Sequence, residues 1–141
     1  IFYHGTSLRD AQTIAREGFR ISRGVGRGGL MGVGVYMGSR KFAEGYARDV
    51  SSDQSVESAL LHLRVDPSNP LSTEPSEWSE EFREAHRSSI GPVPAKASLV
   101  NWPEVSSLAR RLGHDSIIDP LGRTSVVFNP RVIAVIYAES L

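Results

Sequence analysis

Three apolar runs close this chain with nothing but turns between them: Ser116 to Ile118, Ser125 to Phe128 and Val132 to Tyr137, separated by Pro120 to Arg123 and by Asn129-Pro130. β-Branched residues fill these runs, as a pleated and half-buried surface favours. Strands joined by short turns pair antiparallel, because parallel neighbours require a crossover of a dozen or more residues. Consecutive strands at one end and only two or three helices elsewhere therefore predict an α+β fold with antiparallel sheets, not a doubly wound parallel one.

The remaining elements fit that frame. Ile1 to His4 reads as a strand stopped by Gly5, and Thr6 or Ser7 offers an N-cap to a helix from Leu8 to Glu17 that Gly18 terminates. From Phe19 to Gly34 the sequence carries Gly24, Gly26, Gly28, Gly29, Gly32 and Gly34 with Arg20, Arg23 and Arg27 among them, which is the chemistry of a cationic loop. Val33 to Met37 resumes a strand, and Ser39 caps a helix to about Arg48 with Phe42, Ala43, Tyr46 and Ala47 on one face. Ala59 to Val65 is a strand ended by Asp66-Pro67, and a helix runs from Pro103 to Leu112 before Gly113. Residues 67–102 are polar, with Trp78 and Phe82 as anchors around a short helix, and are expected to form a surface insertion.

At 141 residues the chain fits a single domain, 1–141, and because it opens inside a strand it is expected to be excised from a longer protein. A formal net charge of zero removes the bulk electrostatic case for nucleic-acid binding. With no cysteine and four scattered histidines there is no thiolate site and no metal-ligand spacing, so no metal is expected. No apolar run approaches the roughly 20 residues of a membrane span.

Taken singly, the candidate functional residues each have an ordinary reading. His4 at a strand end can be packed or face solvent, Tyr36 and Tyr46 can be core aromatics, and the glycine-rich stretch lacks the spacing of a P-loop or a dinucleotide fingerprint. Their order carries more. Tyr3-His4-Gly5-Thr6-Ser7, a helix ending in Gly18-Phe19-Arg20, the glycine-rich loop, Gly34-Val35-Tyr36-Met37 and Ala43-Glu44-Gly45-Tyr46-Ala47 together resemble the catalytic domains of ADP-ribosyltransferases of the diphtheria-toxin and poly(ADP-ribose) polymerase class. Leu112 to Ile118 followed by Ser125 to Pro130 looks like the closing strands of small bacterial and phage members.

The resemblance covers nearly the whole chain outside residues 67–102 and implies a split antiparallel β-sandwich with flanking helices. It implies NAD as substrate, held by His4 on a ribose hydroxyl, by the Gly5 backbone on the nicotinamide carboxamide, by Thr6 beside them, by Arg20 toward the pyrophosphate, and by Tyr36 and Tyr46 on either side of the cationic nicotinamide ring. Many members place a Glu just before the closing strand, where it helps to stabilise the oxocarbenium-like transition state; this chain has Thr124, which carries no charge. The implied catalytic set is thus His4, Tyr36 and Thr124.

Three accounts of Thr124 stand side by side: a natural variant that transfers ADP-ribose to a protein or nucleic-acid acceptor, substitution by a nearby carboxylate such as Asp119, or binding of NAD without turnover. The expected activity is mono-ADP-ribosyl transfer, in the setting of a secreted bacterial effector's toxin domain with a cognate immunity protein. NAD glycohydrolysis and a non-catalytic NAD or ADP-ribose module are the alternatives.

Overall fold

The computed structural model describes residues 1–20, 31 and 34–141, with the side chain of Gln54 outside the described set. The other residues of the glycine-rich stretch, among them Arg23, Arg27, Gly24 and Val33, lie outside the described residues. Seven strands, β1 (Phe2–Ser7), β2 (Val35–Gly38), β3 (Ser58–Val65), β4 (Pro70–Ser72), β5 (Ser116–Ile118), β6 (Thr124–Val127) and β7 (Ile133–Ser140), form one sheet in the order β4-β5-β6-β2-β1-β3-β7. Among the described residues four helices, α1 (Leu8–Glu17), α2 (Arg40–Gln54), α3 (Glu80–Ser89) and α4 (Trp102–Arg111), pack on it.

Local chemistry accounts for most of the boundaries. The Ser7 hydroxyl accepts the Asp10 N–H to open α1, and Gly18 closes it at φ 82°, a left-handed backbone that glycine takes without a Cβ penalty. Ser39, Ser79 and Asn101 cap α2, α3 and α4 in the same way. The turn after β5 brings the chain directly back as β6, antiparallel.

Three expectations are corrected. First, β1 does not stop at Gly5 but runs through it to Ser7, pairing with β3 along its whole length from Phe2↔Leu63 to Ser7↔Ser58. Second, α2 continues to Gln54, and its expected apolar face divides. Ala43 and Ala47 are buried, whereas Phe42 and Tyr46 are more than half exposed. The helix backbone lies too close to the sheet at Gly5 for larger side chains to fit between them. Third, residues 67–102 are part of the core. β4 pairs parallel with β5, and Leu71, Trp78, Phe82, Val100 and Trp102 are buried together with Val105, Leu108, Ile117 and Val126. Burial of each large side chain is worth about 1.5–3 kcal/mol, so this stretch helps to hold the domain together. Its polar composition concealed widely spaced anchors.

The sheet also departs from a two-layer antiparallel sandwich. Every neighbouring pair is antiparallel except β4 and β5, and all seven strands belong to one hydrogen-bonded sheet. That sheet is nearly cut in two, because β1 and β2 share a single pair, Tyr3↔Gly38. Each face of the sheet has its own core: one gathers Leu71, Ile117 and Val126 beneath α3 and α4, and the other, on the opposite face, gathers Ala11, Val35, Met37, Ala59, Leu61, Leu63 and Val127 and so spans the junction between β1 and β2. The opening between β1 and β2 is where the two parts meet.

Candidate functional site at the opened strand pair

Backbone direction along β1 follows from one hydrogen bond. Leu8 donates its N–H to the Glu57 carbonyl at 2.8 Å, and since peptide groups alternate sides along a strand, those of Thr6, His4 and Phe2 also face β3. The peptide groups of Tyr3 and Gly5 then face β2. Tyr3 makes the one pair with Gly38, and Gly5 presents its N–H and C=O where the ladder has opened.

Gly5 is also fixed from above. A Cβ at this position would fall onto the Ala43 carbonyl oxygen and within 2.9 Å of the Ala47 nitrogen, so only glycine lets α2 lie this close. Close approach of a ligand amide, the reason the sequence suggests for Gly5, is therefore accompanied by a packing reason that the sequence does not show. Gly38 has a similar one, since a Cβ there would meet the Arg123 carbonyl oxygen.

His4 alternates to the other side of β1, opposite Leu61. Its ring meets Phe19 edge-on at 5.2 Å, and its Nδ1 lies 2.6 Å from the Tyr36 carbonyl oxygen. A carbonyl can only accept, so Nδ1 carries the proton and donates. Desolvation by burial lowers the His4 pKa from 6.5, outweighing that hydrogen bond and the charge of Asp10, so the ring is neutral at pH 7. Nε2 is then a lone-pair acceptor suited to a hydroxyl donor. The same bond fastens β1 to β2 across the opening.

Residues directly opposite in a ladder share a face of the sheet. Tyr3, Gly38 and Thr124 form one such row through the pairs Tyr3↔Gly38 and Gly38↔Thr124, and Tyr36, paired with Val126, lies on the same face one step along. The Tyr36 hydroxyl accepts the Met31 N–H at 3.0 Å and its ring packs on the core under α3 and α4. Burial raises its pKa above 10, only partly offset by that N–H, so the phenol is neutral.

Tyr46 is 61% exposed on α2. Arg40 on one flank of this helix reaches Glu139 of β7, beyond β3, at 2.6 Å. Ala43 and Ala47 face Gly5, which directs the opposite flank, carrying Phe42 and Tyr46, toward β2 and the opening. Thr124 is half-buried at the start of β6.

Other sequence candidates are placed differently. Thr6 is buried in β1 opposite Ala59. Arg20 points outward with its guanidinium 3.8 Å from Glu17, so the described contact is with α1 and not with the opening. Asp119 is 5% exposed, and both of its oxygens are engaged: Oδ1 accepts the Leu121 N–H at 2.9 Å and Oδ2 the Arg123 Nε–H at 2.8 Å. Burial pushes its carboxyl up, but Arg123 and the backbone N–H groups more than compensate and hold it below 3.8. The geometry makes Asp119 the clasp of the turn that delivers Thr124.

No protein-family model, curated protein or solved structure matches this chain. Its own geometry has to carry the functional argument. Among the described residues no helix is long and apolar enough to cross a membrane.

The lowered Asp119 pKa sets an acid limb of stability. Its clasp contributes fully above about pH 3.8, the unfolded value, and that contribution is lost as the pH falls toward the lower folded value. Asp119→Asn should lower the melting temperature at pH 7 by about 5 °C and flatten this limb. Equal losses at pH 7 and pH 3 in thermal scans would show that the charge of Asp119 is unimportant.

Sequence reasoning missed the close approaches at Gly5 and Gly38 and the bond from His4 to a backbone carbonyl. Glycine at a strand end immediately before the N-cap Ser39 was the available signal for Gly38. No local pattern announces a contact 32 residues away.

Proposed function

We propose that this chain binds NAD at the opening between β1 and β2 and transfers its ADP-ribose to a macromolecular acceptor, in the split-sheet arrangement of the ADP-ribosyltransferases it resembles. The observation that carries the reading is the single-pair junction: the Gly5 peptide faces it, the His4 ring reaches across it from the face of Leu61 and Phe19 with Nε2 as an acceptor, and Tyr46 flanks it from α2 on the opposite face.

These groups match the parts of such a substrate. A carboxamide both donates and accepts, as the Gly5 C=O and N–H require; a ribose hydroxyl donates to Nε2 of His4; and the exposed Tyr46 ring offers an aromatic face to the nicotinamide cation. Transfer breaks the bond from ribose C1′ to the nicotinamide nitrogen, which leaves with the electron pair as neutral nicotinamide. The acceptor atom forms the new bond to C1′ and its proton passes to solvent.

Stacking on the cation stabilises the ground state and does not by itself accelerate departure. Thr124 provides a hydrogen bond without charge, and Asp119 is already committed to Arg123. Turnover in buffer is accordingly expected to be slow, with the acceptor supplying the missing driving force. The same observation favours a second reading, a binding module that holds NAD intact.

Nicotinamide release by the purified domain, with and without cell lysate, tests the choice. Lysate-dependent release supports transfer, release in buffer alone supports glycohydrolysis, and binding without release leaves the module. Thr124→Glu should raise hydrolysis by at least tenfold if the row from Tyr3 to Thr124 borders the ribose, since a preorganised charge at such a position is worth several kcal/mol. Tyr46→Ala should weaken NAD binding by about 1–2 kcal/mol in calorimetry. Unchanged affinity would remove that ring from the site.

A further inference from the structure

The flank of α2 that faces the opening is chemically uniform in a way that the rest of the helix is not. Phe42 and Tyr46, one turn apart, are 52% and 61% exposed, and Leu121 is 70% exposed in the turn whose Gly122 carbonyl accepts the Ser39 N–H at the start of the helix. At the next steps of the same flank, three and then four residues on, come Asp49 and Asp53, both exposed. The basic residues of α2 lie off this flank: Arg40 and Arg48 are paired with Glu44, Arg40 also with Glu139, and Lys41 is exposed on the outward side of the helix.

We propose that the stripe of Leu121, Phe42, Asp49 and Asp53, bordering the Tyr46 ring that faces the nicotinamide, docks the acceptor, and that this acceptor is a protein presenting an arginine-bearing cationic segment. The inference rests on the transferase reading, because the stripe borders the opening where ADP-ribose would be handed over. Charge complementarity selects the occupant. Guanidinium groups stack on aromatic faces while pairing bidentately with carboxylates, so one segment satisfies both halves of the stripe. A nucleic acid would place phosphates against Asp49 and Asp53 and meet no unpaired arginine on this flank among the described residues. The protein has no net charge to compensate for that repulsion.

Fluorescence anisotropy with a labelled nona-arginine peptide and a labelled single-stranded RNA of similar length tests the docking on the whole domain. The peptide is expected to bind in a salt-dependent way and the RNA not to bind. Asp49→Lys with Asp53→Lys should weaken the peptide by about tenfold. Glu81→Lys with Glu84→Lys, the same charge change on the exposed face of α3, should alter it less than twofold. Equal losses in the two pairs, RNA binding as tight as the peptide, or no binding of either probe would overturn the proposal. NAD affinity, measured on the same proteins, separates the two readings: wild-type protein that binds the peptide but not NAD refutes the transferase reading, whereas protein that binds NAD but not the peptide refutes only the docking.

Discussion

Gly5→Ala is expected to destabilise the domain by about 3 kcal/mol, near the upper end for overpacking, and to lower its melting temperature by roughly 10 °C. The added methyl would meet the Ala43 carbonyl oxygen and the Ala47 nitrogen, both backbone atoms of α2, so no side-chain rotation can relieve the contact. Relief requires moving the helix, which would carry Tyr46 away from the opening and break the packing of Ala43 and Ala47 on β1. NAD binding should fall in parallel. A thermal scan that left Gly5→Ala within 2 °C of the parent protein would mean that α2 is less firmly seated than its contacts indicate.

The second large effect is expected at His4. His4→Ala removes the acceptor offered by Nε2 and leaves the Tyr36 carbonyl without the ring N–H it now receives at 2.6 Å. NAD affinity should drop by about 10- to 100-fold, the cost of unpairing a buried hydrogen-bonding group. His4→Asn separates the two roles. Its amide N–H can follow the path of Nδ1–H to the Tyr36 carbonyl while offering nothing in place of Nε2. The Asn variant should therefore melt close to the parent and still bind NAD weakly. If Asn restored both properties, Nε2 would not be a ligand contact.

The pH dependence at His4 has a defined sign. Because burial lowers its pKa from 6.5, the unfolded chain takes up the proton more readily. Stability is full above pH 6.5 and declines as the pH falls from there toward the lower folded value. The Ala variant should lack this component. Urea midpoints between pH 5 and pH 8 would detect it.

How far the sequence could be read varies with the range of the interaction. Two helix starts were legible because capping is local: Ser7 and Ser39 each bond within three residues of themselves, whereas Asn101 opens α4 at Trp102, one residue before the start expected at Pro103. The closing strands were legible as strands, but only β5 and β6 became neighbours: after Asn129-Pro130 the chain carries β7 to the far edge of the sheet, where it pairs with β3. Gly5, which lies within β1, was misread as its end, since a glycine in a strand has the same local signature whether it ends the strand or admits a helix backbone. Residues 67–102 were misread because Trp78 and Phe82 looked like isolated anchors, while Leu71, Val100 and Trp102 stand too far from them in the chain to reveal a shared core. The expected face of α2 failed because the depth at which a helix sits, and hence whether Phe42 or only Ala43 fits beneath it, depends on the partner surface.

The site divides along the same line. Its residue types, a histidine and a glycine on the first strand and two tyrosines further on, were present in the order of the chain. The nearly severed junction between β1 and β2, the protonation of Nδ1 by its carbonyl partner and the engagement of Asp119 by Arg123 depend on contacts that the fold must first create.

By itself the sequence determined the α+β class, the helix caps at Ser7 and Ser39 and the antiparallel return of β6 along β5, because each follows from backbone chemistry within a few residues. Only the tertiary structure decided which strands became neighbours, that β4 joined the sheet in parallel, and that the sheet opened beside Gly5. Those outcomes depend on which apolar surfaces find one another, and burial has no direction along the chain.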